Sequence, residues 1–145
     1  MKVFESQIDI NAPIELVWQH LTAFEHYPEW NPFVLWAKGD LKKGSIVRFQ
    51  IARQPVPFNG EIITLTPNRE LTWEAKVPIP GVQPRYIRKL ESINDGKTRF
   101  INREEFSGAM VPVAAPVLSL LLGPLYEKTC QALKQRVEAA VKAGK

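Results

Sequence analysis

The chain is predicted to fold as α+β, a sheet of seven strands with one long C-terminal helix laid across a face. Three observations lead there. Residues from about Phe33 to Ser107 break into short alternating segments punctuated by proline, glycine and asparagine. The stretch Pro112 to Val141 is long enough for a major helix. It repeats its apolar residues at helical spacing: Leu118, Leu121, Leu122, Leu125, Ala132, Leu133, Val137, Ala140 and Val141. A long amphipathic helix that follows a run of strands finds its cover on one face of their sheet. The 145 residues suit a single domain (1–145) with a substantial core.

Each element has a local reason. Lys2 to Ile10 alternates as a first strand, with Val3, Ile8 and Ile10 among its apolar positions. Asn11 then caps a short helix whose first turn tolerates Pro13, and Ile14, Val17, Trp18 and Leu21 form its apolar stripe. Thr22 and Glu25 make a capping box for a second short helix, expected to stop by Tyr27 because Pro28 disfavours helix before it. Strands follow over Phe33–Lys38, Ile46–Arg53, Phe58–Thr66, Leu71–Val77, Tyr86–Ile93 and Lys97–Ser107. In the second, Val47, Phe49 and Ile51 share a face, and Pro55 and Pro57 end it. In Phe58–Thr66 the apolar Ile62, Ile63 and Leu65 leave the inward face open. Leu71, Trp73, Ala75 and Val77 alternate strictly with Thr72, Glu74 and Lys76. In the long helix, Gly123 and Pro124 predict a kink or break. The half before them is apolar almost all round and is expected to be buried or to face something apolar.

This order, with NAPIELVWQHL at Asn11–Leu21, YPEWNPF at Tyr27–Phe33 and EEFSG at Glu104–Gly108, resembles the helix-grip superfamily. That group includes the birch-pollen-allergen fold, START domains and polyketide cyclases, and the bacterial cyclase and lipid-transport branch is most similar. The resemblance covers essentially the whole chain. It implies a curved antiparallel sheet wrapped around the C-terminal helix, with a cavity between them. It speaks to the fold more than to the activity, because members bind, carry or alter different apolar molecules.

Composition removes several functions. A net charge of +4 is spread along the chain without a basic block, so no nucleic-acid partner is expected. Glu5 and Asp9 interrupt the N-terminal apolar residues, against a signal peptide, and the single Cys130 suits a reducing cytoplasm. The run Ala109–Leu122 is too short to span a bilayer, so stable membrane insertion is not expected. His20 and His26 do not make a metal-ligand pair, and phosphate-loop, dinucleotide and nucleophile-elbow motifs are lacking, so neither a metal nor a cofactor is expected. Cys130 is a packing residue on this reading.

The candidate ligand-binding residues are aromatic and polar. Trp30, Phe33, Phe49, Trp73, Tyr86 and Phe100 take plausible inward positions, either as ordinary core or, with Leu121 of the long helix, as the lining of an apolar pocket. An INDGK connection with Gly96 in a left-handed bulge would set Ile93 opposite Lys97, Leu90 opposite Phe100, Arg88 opposite Asn102 and Tyr86 opposite Glu104. The cluster Tyr86, Arg88, Asn102 and Glu104 then faces solvent, forms a structural ion pair, or anchors a polar ligand end. The favoured reading is a polar cavity floor with Arg88 and Glu104 paired. The YPEWNPF loop and the Pro78–Pro84 loop are expected at the cavity mouth.

Binding or transport of a small hydrophobic molecule with one polar end is therefore expected. The alternative is a cyclase or dehydratase in which Glu104, Tyr86 or His26 moves protons, with Arg88 opposing a raised carboxyl pKa. A third reading makes the Val113–Leu122 run a membrane-surface or adaptor segment.

Overall fold

Pairing of the first strand with the last sets the architecture. The computed structural model describes residues 1–52, 57–76 and 80–144. β1 (Lys2–Ile10) lies beside β7 (Lys97–Ser107). From there the antiparallel sheet continues through β6 (Gln83–Asn94), β5 (Glu70–Lys76), β4 (Phe58–Thr66), β3 (Ile46–Ile51) and β2 (Val34–Lys38). The sheet curls into a half-barrel, and α2 (Val111–Lys142) packs along β1 and β7. The residues predicted at the ends of two strands, Arg53 and Val77, lie outside those described, as do Pro55, Pro78 and Ile79.

α1 (Ile14–Thr22) buries Val17 and Leu21 as its stripe requires, but its capping differs from expectation. Pro13 occupies the cap, and the Asn11 amide donates to Glu138 Oε2 at 2.9 Å. Lys134 donates to the same carboxylate at 2.7 Å and to the Asp9 carbonyl at 2.6 Å, tying the end of α2 to the β1–α1 junction. The expected capping box is also replaced. Thr22 donates back to the Trp18 carbonyl at 2.8 Å, and a 3-10 helix spans Phe24–Glu29 with Pro28 inside it. A 3-10 segment this short asks few amides to bond, so proline is tolerated.

β4 resolves its ambiguous face through a bulge. Gly60 and Ile62 are buried, the pairing with β5 shifts between Ile62 and Thr64, and Leu65 returns to a position opposite Leu71. One extra residue, Ile63, lets three nearly consecutive apolar side chains serve one strand. Gly60 lies beneath the Trp73 ring, where an added Cβ would sit 2.7 Å from Cδ1. Gly60→Ala is expected to lower stability by about 1–3 kcal/mol by overpacking, measured by chemical denaturation.

The core forms between the sheet and the helices. Ile10, Val17, Leu21, Leu90, Phe100, Cys130, Leu133 and Val137 make one cluster. Phe24, Tyr27, Val47, Phe49, Ile62, Leu71 and Trp73 belong to a second. On α2 the buried seam runs Tyr126, Cys130, Leu133, Val137, a spacing of four, three and four residues.

Of the expected kink or break at Gly123–Pro124, a break does not occur: the helix runs on through both residues. Pro124 removes only the bond to the carbonyl of Leu120, a residue on the exposed side where water can satisfy it. The half before it is not covered all round: Ala114, Leu118 and Leu122 pack inward, while Val113, Val117, Leu120 and Leu121 stand in solvent.

Candidate functional site

The register of three strands builds the site. Trp73 on β5 opposes Tyr86 on β6, Tyr86 opposes Glu104 on β7, and Glu104 opposes Phe4 on β1. In the adjacent row Leu71, Arg88, Asn102 and Ser6 face one another in the same strand order. Side chains two apart on a strand share a face, so both rows point toward α2. The expected pairs Leu90–Phe100, Arg88–Asn102 and Tyr86–Glu104 are all present. The turn itself differs: Asn94, not Ile93, opposes Lys97, and the register shifts between Ser92 and Asn94. Gly96 is not left-handed; its amide donates to Asn94 Oδ1 at 3.0 Å in a side-chain-closed turn. Moving the bulge to Ile93 leaves the pairs beyond it unchanged.

Glu104 is only 2% exposed and accepts a hydrogen bond at Oε1 from the Tyr126 hydroxyl of α2. Asn102, equally enclosed, donates through Nδ2 to the Tyr126 carbonyl at 3.2 Å. The Arg88 guanidinium lies over the Trp73 ring, 5.0 Å from its centroid, and 5.8 Å from that of Tyr86. Arg88 and Glu104 therefore do not form the expected ion pair. The aromatic faces hold the cation, and the helix holds the carboxyl.

Among the described residues, five buried polar atoms are left without a protein partner: Trp30 Nε1, Trp73 Nε1, Arg88 Nη1, Asn102 Oδ1 and Glu104 Oε2. Three are donors and two are acceptors, on residues of one inward face and the loop beside it. Unpaired buried groups are costly, so such a concentration is unusual for packed core. Burial drives the Glu104 carboxyl up to about 7, against the pull of Tyr126, Tyr86 and Arg88. The Tyr86 and Tyr126 hydroxyls are pushed above the usual phenol range, by burial first and then by Glu104, so both are donors at neutral pH.

Around the polar rows stands an aromatic wall. Phe58, Phe49, Trp73 and Tyr86 stack in series, with centroid separations of 5.4, 5.3 and 5.8 Å. Trp30 meets Tyr27 edge-on at 5.0 Å and packs against both core clusters. Phe100 is fully buried beside Leu90, in the core rather than at the polar rows.

Two further predicted lining residues fall elsewhere. Phe33 is half-buried before β2 and joins none of the described clusters. Leu121 is 63% exposed, because the α2 seam follows Tyr126 and Cys130 rather than the leucine run. His26 lies at the surface against Glu29 Oε2 at 2.6 Å, and Glu29 also pairs with Arg136 of α2 at 2.7 Å. Burial raises the Cys130 thiol to about 11, so it packs as a thiol.

Sequence reasoning missed Tyr126 and Phe58. Tyr126 was legible as a member of the four-and-three spacing with Cys130, Leu133 and Val137. Of the two expected mouth loops, Tyr27 and Trp30 do pack onto the clusters. The other lies partly outside the described residues, but its end is pinned. The Met110 amide donates to the Gly81 carbonyl at 3.1 Å, and Gly108 packs so tightly on that carbonyl that a Cβ has no room.

The profile of the family described as polyketide cyclase/dehydrase and lipid transport matches residues 1–138. No curated protein sequence matches the chain. Among solved structures, the Zhui aromatase/cyclase of Streptomyces sp. R1128 superposes with a TM-score of 0.83 at 16% identity, over 99% of this chain and 97% of its own. A START superfamily protein of Mycobacterium smegmatis gives 0.76 at 18% identity, covering 95% and 98%. Norcoclaurine synthase of Thalictrum flavum gives 0.75 at 14%, covering 96% and 95%. At these identities the likeness is one of fold, and it is the helix-grip fold. Among the described residues no helix is long and apolar enough to cross a membrane.

Proposed function

The chain belongs to the polyketide cyclase/dehydrase and lipid transport family, and from that premise we propose that it binds a small hydrophobic molecule between the sheet and α2. The aromatic wall of Phe49, Phe58, Trp73 and Tyr86 meets the apolar body. Arg88, Asn102 and Glu104 meet a polar end, with Tyr126 orienting the carboxyl. The observation that carries this reading is the set of five unpartnered buried polar atoms around Trp73 and Glu104. Its donors and acceptors suit a hydroxyl or carbonyl group, which can accept from Arg88 or an indole and, if a hydroxyl, donate to Asn102.

Titration with an apolar fluorescent probe tests it. Saturable binding near one probe per folded chain, with quenching of tryptophan emission, is expected. Binding only after denaturation, or without saturation, contradicts it.

Catalysis by the same carboxyl is a second reading, favoured by one feature. The objection from Arg88 weakens because burial outweighs the guanidinium at Glu104. A carboxyl titrating near neutrality suits general acid work. Turnover of a bound ligand that Glu104→Gln abolishes while leaving its affinity intact would support it; equal loss of both would not.

A further inference from the structure

The cation of the site has no counter-ion. In the two rows of strand residues that build it, Arg88 is the one cation and Glu104 the one carboxyl. The Arg88 guanidinium rests on the Trp73 and Tyr86 rings, and its Nη1 is buried without an acceptor. Burial first sets the acidity of Tyr27, Tyr86, Glu104 and Tyr126, and Arg88 then acts on all four, so they surround one guanidinium. An arginine side chain keeps its charge at every pH a protein meets. Aromatic faces attract that charge but give its N–H groups no acceptor, and a neutral guest would leave it unmatched.

We propose that the carbonyl-bearing end of the ligand is a carboxylate, held by Arg88 Nη1 and the Trp73 indole N–H, so that the site selects an apolar acid over the matching alcohol. This rests on the interior binding proposed above and names the class of molecule bound. A carboxylate brings two acceptor oxygens and the missing negative charge, whereas a hydroxyl brings one oxygen and no charge. Its hydrogen bonds from a guanidinium are roughly twice as strong as neutral ones. Glu104 adds a third donor. Its Oε1 already accepts from Tyr126, which leaves the proton of the neutral carboxyl to the unpartnered Oε2. Tyr86 and Arg88 of β6 and Tyr126 of α2 act on this carboxyl, β1 presents the non-titrating Phe4, and Cys130, further along α2, stays a thiol. Burial is the largest influence and lifts the carboxyl to about 7. Below that pH its proton can face the guest. Above it a second carboxylate would repel the guest, so binding must take up one proton. Asn102 Oδ1 belongs to the adjacent row and is not required.

Displacement of the neutral probe N-phenyl-1-naphthylamine by phenylhexanoate and by phenylhexanol tests it, since the two share a frame and differ in the charge of one end. Near pH 6 the acid is expected to bind roughly tenfold or more tightly than the alcohol. Above about pH 7 its affinity should fall toward about tenfold per pH unit, a fall the alcohol does not share. Arg88→Gln should lose the preference and Glu104→Gln the pH slope, with the folding of each checked by its melting temperature. The wild-type comparison decides even where a variant fails to fold. Acid binding no tighter than alcohol near pH 6 overturns the proposal, and interior binding stands if the alcohol displaces the probe. An acid affinity that ignores pH overturns the part given to Glu104. A probe that does not bind at all removes interior binding and the proposal with it.

Discussion

Trp73→Ala is expected to lower stability by about 3–5 kcal/mol, the cost of removing a large aromatic side chain from a packed site. Trp73 is 4% exposed and touches both parts of the site. Its ring stacks on Phe49 at 5.3 Å, meets Phe24 edge-on at 6.4 Å, covers Gly60 and supports the Arg88 guanidinium. Deleting it opens a cavity and also uncovers a cation that the carboxyl of Glu104 does not pair. Trp73→Phe keeps a ring and removes the unpartnered indole N–H, so its cost should stay below about 1.5 kcal/mol. Urea denaturation of the two variants separates these effects. A loss below about 1 kcal/mol for Trp73→Ala would place the ring on a preformed void rather than in packed core.

Glu104 should make the protein less stable as the pH rises. Its folded pKa, about 7, lies above the ordinary 4.5, so between those values the folded state keeps a proton that the unfolded chain releases. Stability therefore falls as pH rises from about 4.5 to about 7 and levels off above that, by a total on the order of 3 kcal/mol. Glu104→Gln holds a neutral group in the same place and should lose this slope, matching the wild type at low pH and exceeding it at pH above about 7. Tyr126→Phe removes a hydrogen bond that favours the charged carboxyl, so the fall should begin at the same pH but run deeper and level off at higher pH. Melting temperatures of the three proteins across this range decide it. Wild-type stability that rises through the window would show a carboxylate held charged, and would place Arg88 in ion-pair contact with Glu104.

What could be read in the sequence depended on whether a local rule governed it. Pairing Leu90 with Phe100 satisfies an apolar rule on both strands, and it located Arg88, Asn102 and Glu104 correctly even though the bulge falls at Ile93. Turn chemistry alone could not choose between bulge positions, because the Asn94 side chain closes the turn in place of a left-handed glycine. The face of β4 was illegible for a similar reason, since alternation fails wherever a bulge changes its phase.

The partner of Glu104 was hidden for another reason. Tyr126 reaches it from 22 residues away in sequence, and periodicity locates a helix stripe without saying what it meets. Over Val111–Leu125 periodicity misled outright. Leucine and valine occupy both sides, so spacing could not separate Leu118 and Leu122, which pack inward, from Leu120 and Leu121, which do not.

The central claim is that an apolar molecule with a polar end binds beside Trp73, Arg88 and Glu104. Native mass spectrometry of the purified protein, followed by identification of any mass released on unfolding, tests it most directly. One molecule per chain is expected, with an apolar frame and a hydroxyl or carbonyl group, and its occupancy should fall in Trp73→Phe and Glu104→Gln. A chain that carries nothing, and takes up no apolar probe in saturable fashion while folded, would contradict the account.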